Sequence, residues 1–76
     1  MKSKVSPRDV RARIRCKMEQ YDLTVGRAAK ACNMPVPTFE TYLYGNSLPG
    51  AYALLNLSQG LHCSVDWLLS GSEANG

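Results

Sequence analysis

The 76-residue sequence contains no long apolar run. No segment approaches the 18 or so consecutive apolar residues that a membrane-spanning helix requires, so we expect no association with a membrane. The N-terminal residues also lack the apolar core and the small-residue cleavage site of a signal peptide. We therefore expect a cytoplasmic protein. A chain of this length has room for one small domain, which excludes a large enzyme with a deep cleft between two layers.

Closely spaced cysteine pairs are also missing. Cys16, Cys32 and Cys63 lie 16 and 31 residues apart and match no Cys-x-x-Cys pattern. A small secreted domain usually carries an even number of cysteines, so we expect free thiols that each fill a small apolar gap. A zinc site formed by these cysteines and His62 is the alternative. It is disfavoured because structural zinc ligands nearly always come in close pairs, and we expect neither a metal nor a cofactor.

Basic residues are absent from the second part of the chain. All nine lysines and arginines lie in residues 1–30, which carry a net charge of +6, whereas residues 31–76 contain three acidic residues and carry −3. This asymmetry indicates that one face binds a polyanion, with nucleic acid as the first choice. A well-solvated basic helix would give the same pattern, and charge alone does not separate the two interpretations.

Apolar residues recur at helical spacing in five segments, and none alternates as a strand would. The first predicted helix begins at Pro7, with Ser6 and Asp9 approximating a capping box, and ends near Asp22. The others cover residues 25–32, 36–44, 50–61 and 65–69. We place one all-α domain in residues 1–71 and a flexible tail in residues 72–76. The apolar stripe of the first helix consists of Val10, Ile14, Met18 and Tyr21.

Residues at the helix ends support these boundaries. Thr24 and Ser64 are good N-caps, and Asn33 and His62 are expected to adopt the left-handed conformation that ends a helix. No nucleophile or carboxylate accompanies His62 in the sequence, so we expect no enzyme activity. The side chains predicted to face the core on the third and fourth helices are Phe39, Tyr42, Leu43, Ala51, Leu54, Leu57, Ser58 and Leu61.

Residues 24–45 have the spacing of a helix-turn-helix, whose second helix enters the DNA major groove. Ala29 is small enough for a close helix crossing, Asn33 accepts positive φ in the turn, and Met34 then packs into the core. Phe39 and Tyr42 anchor the second helix. The residues predicted to point away from the core are Val36, Pro37, Glu40 and Thr41.

From Val10 to Gly71 the chain resembles the helix-turn-helix domain of lambda-type phage repressors and Cro proteins. The string Cys63-Ser64-Val65-Asp66-Trp67-Leu68-Leu69-Ser70-Gly71 is similar to the end of this domain in the prophage repressor branch. The resemblance implies a lambda repressor-like fold encoded by a bacterium or a phage. It implies a repressor that binds a palindromic operator in double-stranded DNA as a homodimer, without a small-molecule substrate.

The helix-turn-helix pattern and this resemblance together assign a set of DNA-contacting residues. They are Thr24, Val25, Arg27, Pro35, Val36, Pro37, Thr38, Glu40, Thr41, Tyr44 and Asn46. The chain departs from the family where Val25 replaces a common Gln and where Val36 and Pro37 stand in place of polar residues.

A degenerate helix-turn-helix that serves as a protein-interaction module is the alternative function. Its support is the third helix, which has no basic residue and carries Glu40. The predicted contact residues of such a module are Tyr52, Leu55 and Trp67.

Overall fold

Five α-helices account for the regular structure of residues 5–72, the part of the chain that the computed structural model describes. They are α1 (Pro7–Gln20), α2 (Val25–Ala31), α3 (Val36–Tyr44), α4 (Ala51–Gly60) and α5 (Val65–Ser70). The described residues contain no strand. The all-α prediction is confirmed, and the predicted helix ends differ from the observed ones by at most two residues. Residues 73–76 of the predicted tail lie outside the described part.

Membrane insertion finds no support in these helices. Within residues 5–72, none is both long enough and apolar enough to cross a bilayer.

Side-chain caps begin two of the helices. The hydroxyl of Thr24 accepts a hydrogen bond of 3.2 Å from the backbone N–H of Arg27, and the hydroxyl of Ser64 accepts one of 2.9 Å from Trp67. Both predicted caps are confirmed. Ser6 occupies the N-cap position of α1, but its side chain makes no capping bond, so the predicted capping box does not form. Arg8 and Asp9 in the first turn of α1 are exposed, so water can bind backbone N–H groups there.

The same turn ends α1, α2 and α4. Asp22, Asn33 and His62 have φ values of 54°, 58° and 57°, which confirms the left-handed conformation predicted for Asn33 and His62. In each turn the following residue donates its N–H to a carbonyl five residues earlier, at 2.8–3.0 Å. These bonds define a Schellman motif, which places an apolar residue just after the helix. The three residues in that position are Leu23, Met34 and Cys63, and all pack against the core.

One apolar core joins all five helices. Its buried side chains are Val10, Ile14, Ala28, Ala29, Cys32, Phe39, Leu43, Leu54, Leu57, Leu61 and Leu68. Tyr42 is half-buried and packs against this cluster.

Three core predictions are wrong. Tyr21 is exposed because it lies beyond the last turn of α1, where its ring and the His62 ring pack in a T-shaped arrangement with their centroids 5.4 Å apart. Ala51 is exposed because it begins α4, one turn before Leu54. Cys16 is exposed on α1 and fills no gap, whereas Cys32 is buried and Cys63 is half-buried.

Two arginines of α1 complete the C-terminal ends of other helices. Arg11 donates to the carbonyl of Gly45 at 2.6 Å, where α3 ends. Arg13 donates to the carbonyl of Leu68 at 3.1 Å, in the last turn of α5. Neither α3 nor α5 carries a basic residue in its own last turn, so α1 supplies the cation that a helix C-terminus favours.

The C-terminal end of α4 crosses α2 at very short distance. A Cβ atom added to Gly60 would lie 2.6 Å from the carbonyl oxygen of Ala31 and 2.7 Å from the Cα of Cys32. Only a residue without a side chain allows this approach, and the crossing fixes where α2 lies against the core.

Candidate nucleic-acid interface

The α2–α3 pair is held together through the inner faces of both helices. Ala28 and Ala29 are buried on α2, and Phe39 and Leu43 are buried on α3. The turn between the helices places Met34 against the same core. Because these residues face inward, the opposite side of α3 is left to solvent.

Pro37, Thr41 and Tyr44 form the outward line of α3, four and then three residues apart, and all are exposed. Val36 lies beside this line and is 39% exposed. Glu40 does not point fully away as predicted, since its side chain is half-buried. It lies about 60° around the helix from buried Leu43, at the edge of the core-facing side.

The hydroxyl group of Thr41 is already occupied. It donates a hydrogen bond of 3.0 Å to the carbonyl oxygen of Pro37, one turn earlier in α3. This bond uses the only hydrogen that the hydroxyl can donate. The outward side of α3 therefore offers no side-chain N–H group, and the Thr41 hydroxyl cannot donate to a ligand while this bond is intact.

Positive charge reaches α3 from neighbouring helices. The guanidinium of Arg15 lies 5.8 Å from the centroid of the Tyr44 ring, a cation–π distance, at the C-terminal end of α3. Arg11 donates to the side-chain oxygen of Asn46 at 2.8 Å, just after α3. The bond leaves the amide NH₂ group of Asn46 as a donor at the surface.

Two open grooves lie along α3. One, of about 480 Å³, separates the start of α3 from α2 and is lined by Lys30, Pro35 and Val36, with no acidic residue among its lining residues. The other, of about 300 Å³, lies between α1, the start of α2 and the end of α3. Its charged lining residues are Arg15, Glu19 and Asp22. An anion is therefore favoured in the first groove, whereas the two carboxylates disfavour one in the second.

The structure exposes most of the predicted contact residues. The exposed ones are Thr24, Arg27, Pro35, Val36, Pro37, Thr38, Thr41, Tyr44 and Asn46. Val25 and Glu40 are half-buried, and Val25 lines the groove that contains Glu19 and Asp22. Because those carboxylates would repel a phosphate, Val25 is the weakest member of the predicted set.

Two cations beside α3 were missed in that set. Lys30 lines the groove with Val36, and Arg15 contacts Tyr44. Helical spacing could have found Lys30, which lies three residues after Arg27 on the same helix. Nothing local to α1 indicates that Arg15 reaches Tyr44.

The thiols of Cys32 and Cys63 are harder to ionise than a free thiol. Burial is the main cause that raises the pKa of the Cys32 thiol to about 11, and the neighbouring Cys63 contributes to the same rise. Burial also raises the pKa of Cys63, partly offset by the Lys17 ammonium group. Among the described residues, no three side chains of metal-ligand type lie close enough together to hold a metal ion.

Comparisons of this chain with protein-family models, with curated proteins and with solved structures gave no match.

Proposed function

We propose that the protein is a sequence-specific DNA-binding transcriptional regulator of the helix-turn-helix type, in which α3 is the recognition helix. The observation that carries this proposal is the exposed outward line of α3, beside which a groove contains Lys30 of α2 and no acidic lining residue. Such an arrangement suits a helix in the major groove whose neighbours meet the phosphates along the groove edges. The lambda repressor-like architecture, and a role as a phage-type or prophage-type repressor, belong to the same proposal.

Phosphate contacts are assigned to Arg27 and Lys30 on α2. Arg15 on α1 is not assigned one, because Glu19 and Asp22 line the same groove. Lys30 lines the groove at the start of α3, and exposed Arg27 lies three residues earlier on the same helix. Neutralising a phosphate releases a condensed counterion, so each contact adds about one unit to the slope of log affinity against log salt.

The experiment is a selection from a random duplex library, followed by affinity measurement by fluorescence anisotropy at several salt concentrations. Arg27→Ala should weaken binding to all sequences about equally and reduce the salt slope by about one unit. Arg27→Lys is the matched control, because it keeps the positive charge at this position and should keep the salt slope. An unchanged slope for Arg27→Ala would remove this residue from the interface.

A homodimer on a palindromic operator is part of the proposal. One short helix reads only a few base pairs, and paired recognition helices about 34 Å apart read two half-sites. Residues 41–65 contain no Asp, Glu, Lys or Arg, and Leu48, Tyr52 and Leu55 are exposed there. A second copy can cover this surface without burying a charge, and half-buried Trp67 is the other candidate for the seam. Sedimentation with and without operator DNA tests this, and Leu55→Lys should weaken assembly.

A protein-interaction module remains the second candidate function. The observation that favours it is the absence of any basic residue from α3, together with Tyr52, which is 77% exposed. If no duplex DNA binds even at low salt, this candidate replaces the first.

A further inference from the structure

We infer that α3 reads DNA through the C5-methyl group of thymine, with Val36, Pro37 and Thr41 as the residues that determine specificity. The inference rests on the proposed DNA-binding function and adds the chemical group that is recognised.

The outward side of α3 lacks the donors that usually read guanine. Arg and Lys bind the O6 and N7 acceptors of guanine, and no such residue occurs in α3. Val36 and Pro37 have no polar side-chain atom, and the Thr41 hydroxyl hydrogen is bound to the Pro37 carbonyl. What these three residues present is hydrocarbon.

Thymine offers the matching surface. Its C5-methyl group is the one apolar group that an unmodified base pair exposes in the major groove. The carboxylate of Glu40, beside this apolar surface, can only accept, so its partner on a base is an amino group such as N6 of adenine or N4 of cytosine. Exposed Arg27 and Lys30 on α2 supply the charge complementarity that holds the duplex against this surface.

The test replaces thymine by deoxyuridine, which removes only the methyl group. The full-length chain first selects its preferred duplex from a random library. Each thymine of that duplex is then changed singly to deoxyuridine, and the dissociation constant is measured by fluorescence anisotropy. Losing one buried methyl contact should weaken binding about fourfold. Thymines in the flanks of the duplex are the control and should give no change.

Two variants of Thr41 separate its methyl group from its hydroxyl. Thr41→Ser keeps the hydroxyl and removes the methyl group, whereas Thr41→Val keeps the methyl group and removes the hydroxyl. At the thymine that Thr41 contacts, we expect Thr41→Ser to bind the selected duplex and its deoxyuridine counterpart with equal affinity. Thr41→Val should still bind the thymine duplex roughly fourfold more tightly than the deoxyuridine one. Val36→Ala should lose the preference at a different thymine. Both positions are exposed, and far-ultraviolet circular dichroism checks that each of the three variants is folded.

The possible outcomes distinguish a failure of the thymine-methyl inference from a failure of the proposed DNA-binding function. If Thr41→Val loses the preference and Thr41→Ser keeps it, the hydroxyl reads the base and the inference is wrong. If the unsubstituted protein binds the selected duplex but deoxyuridine never weakens binding, the inference is wrong while the proposed function stands. If no duplex is selected at all, the proposed function fails as well.

Discussion

Two glycines of this chain should respond to alanine with opposite signs. Gly26 lies in α2, and a Cβ atom added there meets nothing within 4 Å. Gly60 lies in α4, and its added Cβ atom would be 2.6 Å from the Ala31 carbonyl oxygen. The two substitutions add the same atom to a helix in the same small domain, so they isolate the effect of the α2–α4 crossing.

The magnitudes follow from helix propensity and from overpacking. Alanine stabilises a helix by about 0.5–1 kcal/mol relative to glycine, and at Gly26 nothing opposes this gain. At Gly60 the added atom meets backbone, which cannot rotate away. The expected penalty is therefore near the upper end of the usual range of about 1–3 kcal/mol. After the propensity gain, Gly60→Ala should lower the free energy of unfolding by about 2 kcal/mol.

Thermal and urea unfolding followed by circular dichroism at 222 nm measure both effects. In a domain of this size, 1 kcal/mol shifts Tm by about 4–8 °C. Gly26→Ala should therefore raise Tm by about 2–8 °C, and Gly60→Ala should lower it by about 8–16 °C. If Gly60→Ala is as stable as the unsubstituted protein, the two backbones do not cross as closely as described and the reasoning is refuted.

Two further predictions concern the caps and the buried thiol. Thr24→Ala and Ser64→Ala should each lower the free energy of unfolding by about 1 kcal/mol in urea titrations. Ser6→Ala should change it little because Ser6 makes no capping bond, and an equal loss there would contradict the observed geometry. Folding raises the pKa of Cys32 from 9.0 to about 11, so this thiol ionises at a lower pH in the unfolded chain than in the folded one. Its contribution to the free energy of unfolding is complete below pH 9 and is lost as the pH rises towards 11. The free energy of unfolding should fall by roughly 2–3 kcal/mol over this pH range, and by less in Cys32→Ala. An identical pH profile of stability for the two proteins would rule out Cys32 as the source of the loss.

The helices could be predicted from the sequence because their signals are local. Thr24 and Ser64 cap helices through hydrogen bonds to residues three positions later. Asn33 and His62 end helices by adopting the left-handed conformation. Apolar spacing located Phe39 in the core and Thr41 on the surface. All of these features depend on neighbours within about five residues.

Other features depend on partners that are distant in the chain. The partner of Arg11 is 34 residues away and that of Arg13 is 55 residues away, and no periodicity in α1 reveals either. The close crossing at Gly60 likewise involves residues of α2. For the candidate interface, the exposed positions of α3 were predicted, but the charge beside them depends on the fold, since Arg15 belongs to α1. DNA binding itself stays a prediction.

The bonds of Arg11 and Arg13 have a consequence for protein synthesis. α1 leaves the ribosome first, yet the carbonyl groups that it binds belong to Gly45 and Leu68. Until Leu68 has emerged, Arg13 has no acceptor there and the last turn of α5 does not exist. A nascent chain arrested before that point should therefore remain sensitive to protease throughout, and protection should arise in one step as α5 is released. The five helices would then pack together only once α5 has emerged, although α1 emerges before the other four.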